Sequence, residues 1–159
     1  MSVPVWRIAV ETPNYTANDL SGTGAKVTGG RWNSKGVCIV YCAANIALAT
    51  LETVHYLRNG ALPFNRYLVR IDVPDAVWNA RQVLDPLPGG WDAIPAGLTS
   101  KATGDAWIAS ASSALLLVPS VIVPDEYNVL INSQHSDAAA IVATTIKRWT
   151  YDPRLFPTA

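Results

Sequence analysis

A glycine-rich polar stretch ends on Gly29-Gly30-Arg31-Trp32-Asn33. After Ser34-Lys35-Gly36 it gives way to the apolar run Val37-Cys38-Ile39-Val40-Tyr41-Cys42. Asn45 then opens a helical pattern that carries Glu52. No other segment restricts the fold as much. A loop, a buried strand and a helix must follow one another through short connections, so Arg31, Tyr41 and Glu52 are confined to one region. The paired glycines free the backbone for a close approach. The guanidinium after them has the planar fork that suits a phosphate or a carboxylate.

Asn45 is a favourable cap, Ile46 to Asn59 follows as the expected helix, and Gly60 is a favourable stop. Leu48, Leu51, Val54 and Leu57 form a core stripe at helical spacing. Glu52 lies one residue off that stripe, on the side of Leu48, His55 and Tyr56, where a pocket wall would run. Tyr41 alternates with Ile39 and so faces away from Cys38 and Cys42. Those two cysteines, the only ones in the chain, point to one face of the expected strand. Their Cα atoms would stand roughly 13 Å apart, too far for a disulfide. With only His55 and His135 to add, they make no convincing metal site, and two buried free thiols are expected.

Elsewhere the reading is coarser. Val5 to Val10, with Arg7 inside it, reads as an edge strand. Thr12 to Gly30 holds four of the ten glycines and reads as a loop, one that would close over a ligand. Arg66 to Pro74 alternates as a half-buried strand. Asp75 to Gly97 is rich in proline, glycine and tryptophan and reads as irregular. Gly104 to Ser113 reads as a short helix with Trp107 inward. Ala114 to Val118, Val121 to Val123 and Tyr127 to Ile131 read as strands. Ala138 to Trp149 is ambiguous, its β-branched residues favouring a strand and its alanines a helix. The sum over residues 1–159 is one α+β domain in which strands outnumber helices, a size that suits a single core.

Composition narrows the function classes. Half the chain is apolar and 15% is charged, which argues against disorder. Twelve basic residues cancel twelve acidic ones, so there is no electrostatic footprint for direct nucleic-acid binding. The six tryptophans are read mostly as core. No basic start precedes an apolar stretch, and the run Ala114-Leu115-Leu116-Leu117-Val118 is stopped by Pro119, far short of the roughly 20 residues of a spanning helix. No membrane association and a cytoplasmic location are therefore expected. There is no Gly-x-Ser-x-Gly elbow, phosphate-binding Gly-Lys-Ser/Thr loop or Rossmann glycine pattern.

Each candidate has an ordinary reading beside the chemical one. Arg31 would pair with a carboxylate such as Glu52 or grip an anionic ligand. Glu52 would sit in an ion pair or stabilise positive charge. Tyr41 would pack in the core or against a flat ligand. One reaction accommodates an arginine, a tyrosine and a single glutamate. NAD carries a cationic pyridinium whose departure needs no proton, so the general acid of an ordinary glycosidase is dispensable. What remains is to bind the pyrophosphate, hold the nicotinamide ring and stabilise a ribosyl oxocarbenium ion, in the order Arg31, Tyr41, Glu52.

On those residues the chain resembles the RES-domain toxins. The resemblance is carried by Gly29-Gly30-Arg31-Trp32-Asn33, Tyr41 with Ala43, Ala47 and Glu52, and Pro119-Ser120 through Pro124. Asn128-x-x-x-Asn132 followed by His135, and Tyr151-Asp152-Pro153-Arg154-Leu155, continue it. It implies an ADP-ribosyltransferase-like fold, a split mixed β-core with peripheral helices. It implies the toxin of a bacterial toxin–antitoxin pair that depletes NAD and arrests growth, NAD being substrate rather than cofactor. It also implies an Xre-type helix-turn-helix antitoxin as partner, which would make any DNA contact. Carried over, Arg31 would bind the NAD phosphates, Tyr41 would pack on the nicotinamide or ribose, and Glu52 would stabilise the oxocarbenium. Ser120 would support the ligand or orient Glu52, and Lys35 and Arg7 would add positive charge. The acceptor is left open among water, inorganic phosphate and a protein side chain. Degradation of NAD by a glycohydrolase or phosphorylase is the leading expectation; an ADP-ribosyltransferase modifying a protein target, or a non-catalytic nucleotide-binding or antitoxin-docking module, is the alternative.

Overall fold

β-Branched and aromatic residues recur in short alternating runs, interrupted by glycine, proline and asparagine, so strands dominate. The computed structural model describes residues 1–54 and 64–156. Along the chain lie β1 (Ser2–Ala9), α1 (Thr23–Thr28), β2 (Val40–Ala43), α2 (Ile46–Val54), β3 (Tyr67–Pro74) and α3 (Asp75–Asn79). They are followed by β4 (Gln82–Val83), α4 (Leu98–Ser110), β5 (Leu115–Pro119), β6 (Tyr127–Ile131) and β7 (Val142–Arg148). Two 3-10 turns, Ser136–Ala140 and Pro153–Leu155, flank β7. Among the described residues the strands form one mixed sheet in the order β4-β5-β6-β2-β1-β3-β7, with β4–β5 parallel and the other pairs antiparallel. This is the expected α+β architecture.

The sheet has a seam. β1 pairs with β3 along its whole length, from Ser2↔Pro74 to Ala9↔Tyr67. Against β2 it registers only at Trp6↔Ala43. Strand alternation then sorts side chains to two faces. On one face Val5, Val69, Ile71, Val40, Leu115 and Val129 belong to a single core that crosses the seam. On the other face packing divides. Ile8, Leu48, Ala49 and Leu68 pack in the cluster that includes α2, while Trp32, Ile39, Trp107, Leu116 and Leu130 pack in the cluster that includes α4. The divided face of a splayed sheet is where a cleft can open without emptying the core.

Several expectations need correction. β1 is central, not an edge strand, since it is bonded on both sides. The apolar run 37–42 becomes a strand only from Val40, because the Asn33 side chain takes the Val37 carbonyl at 3.0 Å. The Thr12–Gly30 stretch is not wholly loop but carries α1. Likewise 75–97 carries α3 and β4. Residues 121–123 are a turn and not a strand: the Ser120 hydroxyl accepts from the backbone N–H groups of Ile122 and Val123, both at 3.1 Å, so the ladder cannot continue. α4 begins six residues before Gly104, which lies inside the helix rather than at its start. The ambiguous stretch divides: Ala138–Ala140 end a 3-10 turn, and the β-branched residues beyond form β7. Asn45 does cap α2, its Oδ1 accepting from the Leu48 N–H at 2.8 Å. The expected continuation through His55, Tyr56 and Leu57 to Gly60 lies outside the described residues. No tryptophan is exposed; Trp32 and Trp107 are buried and the other four are half-buried.

Candidate active site

The glycine–arginine turn is held from inside by Asn33 and Tyr41. The Gly30 N–H donates to the Asn33 carbonyl at 3.0 Å, closing the turn. Asn33 is fully buried and donates through Nδ2 to the carbonyls of Ala25 and Val37. Tyr41 Oη donates to Asn33 Oδ1 at 2.6 Å and accepts from the Trp32 N–H at 3.0 Å. A Cβ at Gly30 would stand 2.6 Å from that hydroxyl, which is why the second glycine is needed. α4 grips the turn from outside. Lys101 Nζ donates to the Gly30 carbonyl at 2.7 Å, and the Asp105 carboxylate accepts from the Ser34 backbone N–H and hydroxyl at 2.9 and 2.5 Å.

Arg31 projects from this turn without pairing with Glu52. Its Nη1 donates to the carbonyls of Trp91 and Ala93 at 2.9 and 2.8 Å. Trp32 stacks on Trp91, ring centroids 6.5 Å apart, and fixes the same loop. Among the described residues no hydrogen bond uses Arg31 Nε or Nη2, so the edge that suits an oxyanion stays open while the other is anchored.

Glu52 is on α2, directed at the sheet. Ser120 Oγ and Asn128 Nδ2 both donate to its Oε1, at 2.5 and 2.7 Å. Among the described residues Oε2 takes no hydrogen bond. The carboxylate is therefore oriented by two neutral donors from the β5–β6 hairpin, Ser120 just past β5 and Asn128 within β6. Ser120 is completely buried, and its hydroxyl is itself fixed by the two backbone donors of its turn.

A cavity of about 220 Å³ opens at the seam. It is lined by Trp6, Arg7 and Ile8 of β1, by Ile39, Tyr41, Cys42 and Ala43, by Ala49, Glu52 and Thr53 of α2, and by Ala25 and Asn128. Among the described residues the Arg7 side chain makes no hydrogen bond and no ion pair. Burial pushes the Cys42 thiol up to about 12, with the Arg7 charge opposing weakly, so this thiol is protonated and inert near neutral pH. Cys38 is half-buried rather than buried, and both cysteines are free.

The structure thus brings Glu52, Tyr41 and Ser120 together. Arg31 is held on the neighbouring turn, outside the cavity lining, and Lys35 is exposed, also outside it. The residue least visible in the sequence as part of the site is Asn128. Its signal was a polar amide in an otherwise apolar strand, which demands a partner. Asp105 and Lys101 were missed because they lie more than 70 residues from the turn they hold.

A model of the RES domain matches residues 4–153. The chain is 56% identical, over 98% of both chains, to a protein of Sphingobium sp. (strain YBL2) named Prs ADP-ribosylating toxin. It is 35% identical to a protein of Yersinia enterocolitica named toxin Res, over 89% of this chain and 93% of that one. A protein of Photorhabdus laumondii with the same name is 36% identical over 89% of this chain and 90% of its own.

Proposed function

This chain belongs to the RES-domain family, and from that premise we propose that it is a toxin whose reaction begins by breaking the nicotinamide–ribose bond of NAD. The bond pair leaves with the ring as neutral nicotinamide, and positive charge develops at the ribosyl carbon. A nucleophile then adds there and gives up its proton. The observation that carries the reading is Glu52: a carboxylate at a cavity, steered by Ser120 and Asn128 through one oxygen, with the other oxygen unbonded. That oxygen would hold a ribose hydroxyl and oppose the developing cation. The Tyr41 ring, whose hydroxyl is turned into the loop, would pack on the nicotinamide or ribose. Arg7 in the cavity and the open edge of Arg31 would take the pyrophosphate, with Lys35 as an outer charge. NAD would be substrate, with no further cofactor.

For the acceptor, the name of the Sphingobium relative favours a protein, and Prs is the first candidate. Hydrolysis or phosphorolysis of NAD is the second reading, since the cavity at Glu52 is open to small nucleophiles such as water or phosphate without a docked protein. The toxin would act in the cytoplasm and arrest growth. An Xre-type helix-turn-helix antitoxin would restrain it and make the DNA contacts for which this chain, with no net charge, is not built.

The purified chain is to be incubated with NAD alone, with inorganic phosphate, and with Prs, and all products weighed. ADP-ribose on Prs supports modification. Free ADP-ribose, or ADP-ribose-1-phosphate only with phosphate, supports NAD degradation. NAD left intact in all three, by protein that is folded, refutes the reading.

A further inference from the structure

Asn128 belongs to β6, in register with Ala43 on one side and Val118 on the other, so its backbone is fixed by the sheet at the seam. Its side chain is committed unequally. Nδ2 donates to Glu52 Oε1 at 2.7 Å, while Oδ1 is shielded from solvent and has no hydrogen-bond partner. The orientation of the amide is forced, since an ionised carboxylate can only accept. A buried amide that leaves its own carbonyl unsatisfied does so at a cost. Filling the space would not need that; an apolar side chain such as leucine, with the same branching and number of heavy atoms, has nothing to orphan.

We propose that Asn128 is a positioning residue of the reaction: with Ser120 it pins Glu52 by Oε1, so that Oε2 alone is presented to the cavity. This rests on the reading of Glu52 as the carboxylate that opposes the ribosyl cation. The two donors are not redundant. Ser120 reaches Glu52 from the turn after β5 and Asn128 from β6, so together they fix the plane of the carboxylate, which one bond leaves free to rotate.

The test is an inversion of the usual ranking of substitutions. Asn128→Asp keeps the shape but replaces the donor by an acceptor and sets a second carboxylate against Glu52. Asn128→Ala only removes the donor. If Asn128 merely fills space, Asp is the milder change. If it positions Glu52, Asp is the worse one, with kcat for NAD cleavage lower than in Ala. Ala itself is expected to lose about 10- to 100-fold in kcat, the scale of a hydrogen bond to a charged group, with KM changed much less. The double variant Glu52→Gln with Asn128→Asp removes one of the two facing carboxylates and so the repulsion between them. It is expected to recover most of the Tm lost in Asn128→Asp while remaining inactive.

Asn128→Asp with wild-type kcat, or a double variant whose Tm stays at that of Asn128→Asp, overturns the positioning role. Retention of NAD cleavage by Glu52→Gln overturns instead the functional reading on which it rests, so the two failures are distinct.

Discussion

Gly104→Ala separates two physical expectations of opposite sign. Gly104 lies in the middle of α4, where helix propensity alone favours alanine by about 1 kcal/mol. The packing says otherwise. A Cβ at Gly104 would lie 1.7 Å from the Trp32 carbonyl oxygen and 2.6 Å from its carbon, both backbone atoms that no rotamer change can move. α4 would have to withdraw from the glycine–arginine turn by well over an ångström. That withdrawal strains the core around Trp107, at about 1–3 kcal/mol or more. It also stretches the Ser34–Asp105 and Gly30–Lys101 bonds, and bonds to charged groups are each worth about 1.5–3 kcal/mol when well made. After subtracting the propensity gain, a net loss of about 2–4 kcal/mol is expected. For a chain of this size it corresponds to a fall in Tm of roughly 5–15 °C. Urea denaturation and a thermal melt measure it, with Gly89→Ala as control, because a Cβ there meets nothing within 4 Å. A Gly104→Ala protein as stable as wild type, or more so, refutes the account of how α4 holds the turn.

Three further outcomes are expected. Tyr41→Phe removes the hydroxyl that joins the Trp32 N–H to Asn33 Oδ1; a loss of about 1–3 kcal/mol in urea is expected, with the turn loosened and activity reduced. Arg31→Lys keeps a charge but has no second edge once its ammonium is spent on the Trp91 and Ala93 carbonyls; NAD turnover is expected to fall roughly 30- to 1,000-fold with the melt little changed, and wild-type turnover would remove Arg31 from the site. Cys42 ionises later folded than unfolded, so its stabilisation is complete below about pH 9 and is lost as the pH climbs toward about 12. Roughly 4 kcal/mol is at stake over that window, and a Cys42→Ala protein measured by urea titration should show a correspondingly shallower alkaline decline.

Arg31, Tyr41 and Glu52 were legible because they fall within a short span of chain whose loop, strand and helix signals are each strong. Their placement needed only local rules. Ser120 was legible through its resemblance to the family and not through its neighbours, since its partner Glu52 is 68 residues away. Asn128 and Arg7 were harder still: what makes them part of the site is strand register and the single-residue contact of β1 with β2, which is decided by packing across the whole sheet. Gly104 misled for a related reason. Locally a glycine reads as a break, whereas here it permits contact with a backbone more than 70 residues earlier. Residues 121–123 misled because three apolar residues resemble a strand until the Ser120 hydroxyl claims their N–H groups.

The seam also explains an electrostatic choice. Glu52 and Arg7 line the same cavity, yet no ion pair joins them among the described residues. Had they paired, each charge would have been spent on the other. Instead Glu52 is steadied by a hydroxyl and an amide, which orient a carboxylate without neutralising it, and Arg7 is left on the far strand of the splay. Neither residue is therefore committed to the other, and in a partly dry space an unpaired charge acts at more than its strength in water. A ligand that is cationic at a ring and anionic at a diphosphate meets that arrangement with both ends. In the proposed reaction, where positive charge would pass to the ribose as the ring leaves, the unpaired oxygen of Glu52 would need no reorganisation to meet it, which is the condition under which a carboxylate lowers a barrier rather than merely binding.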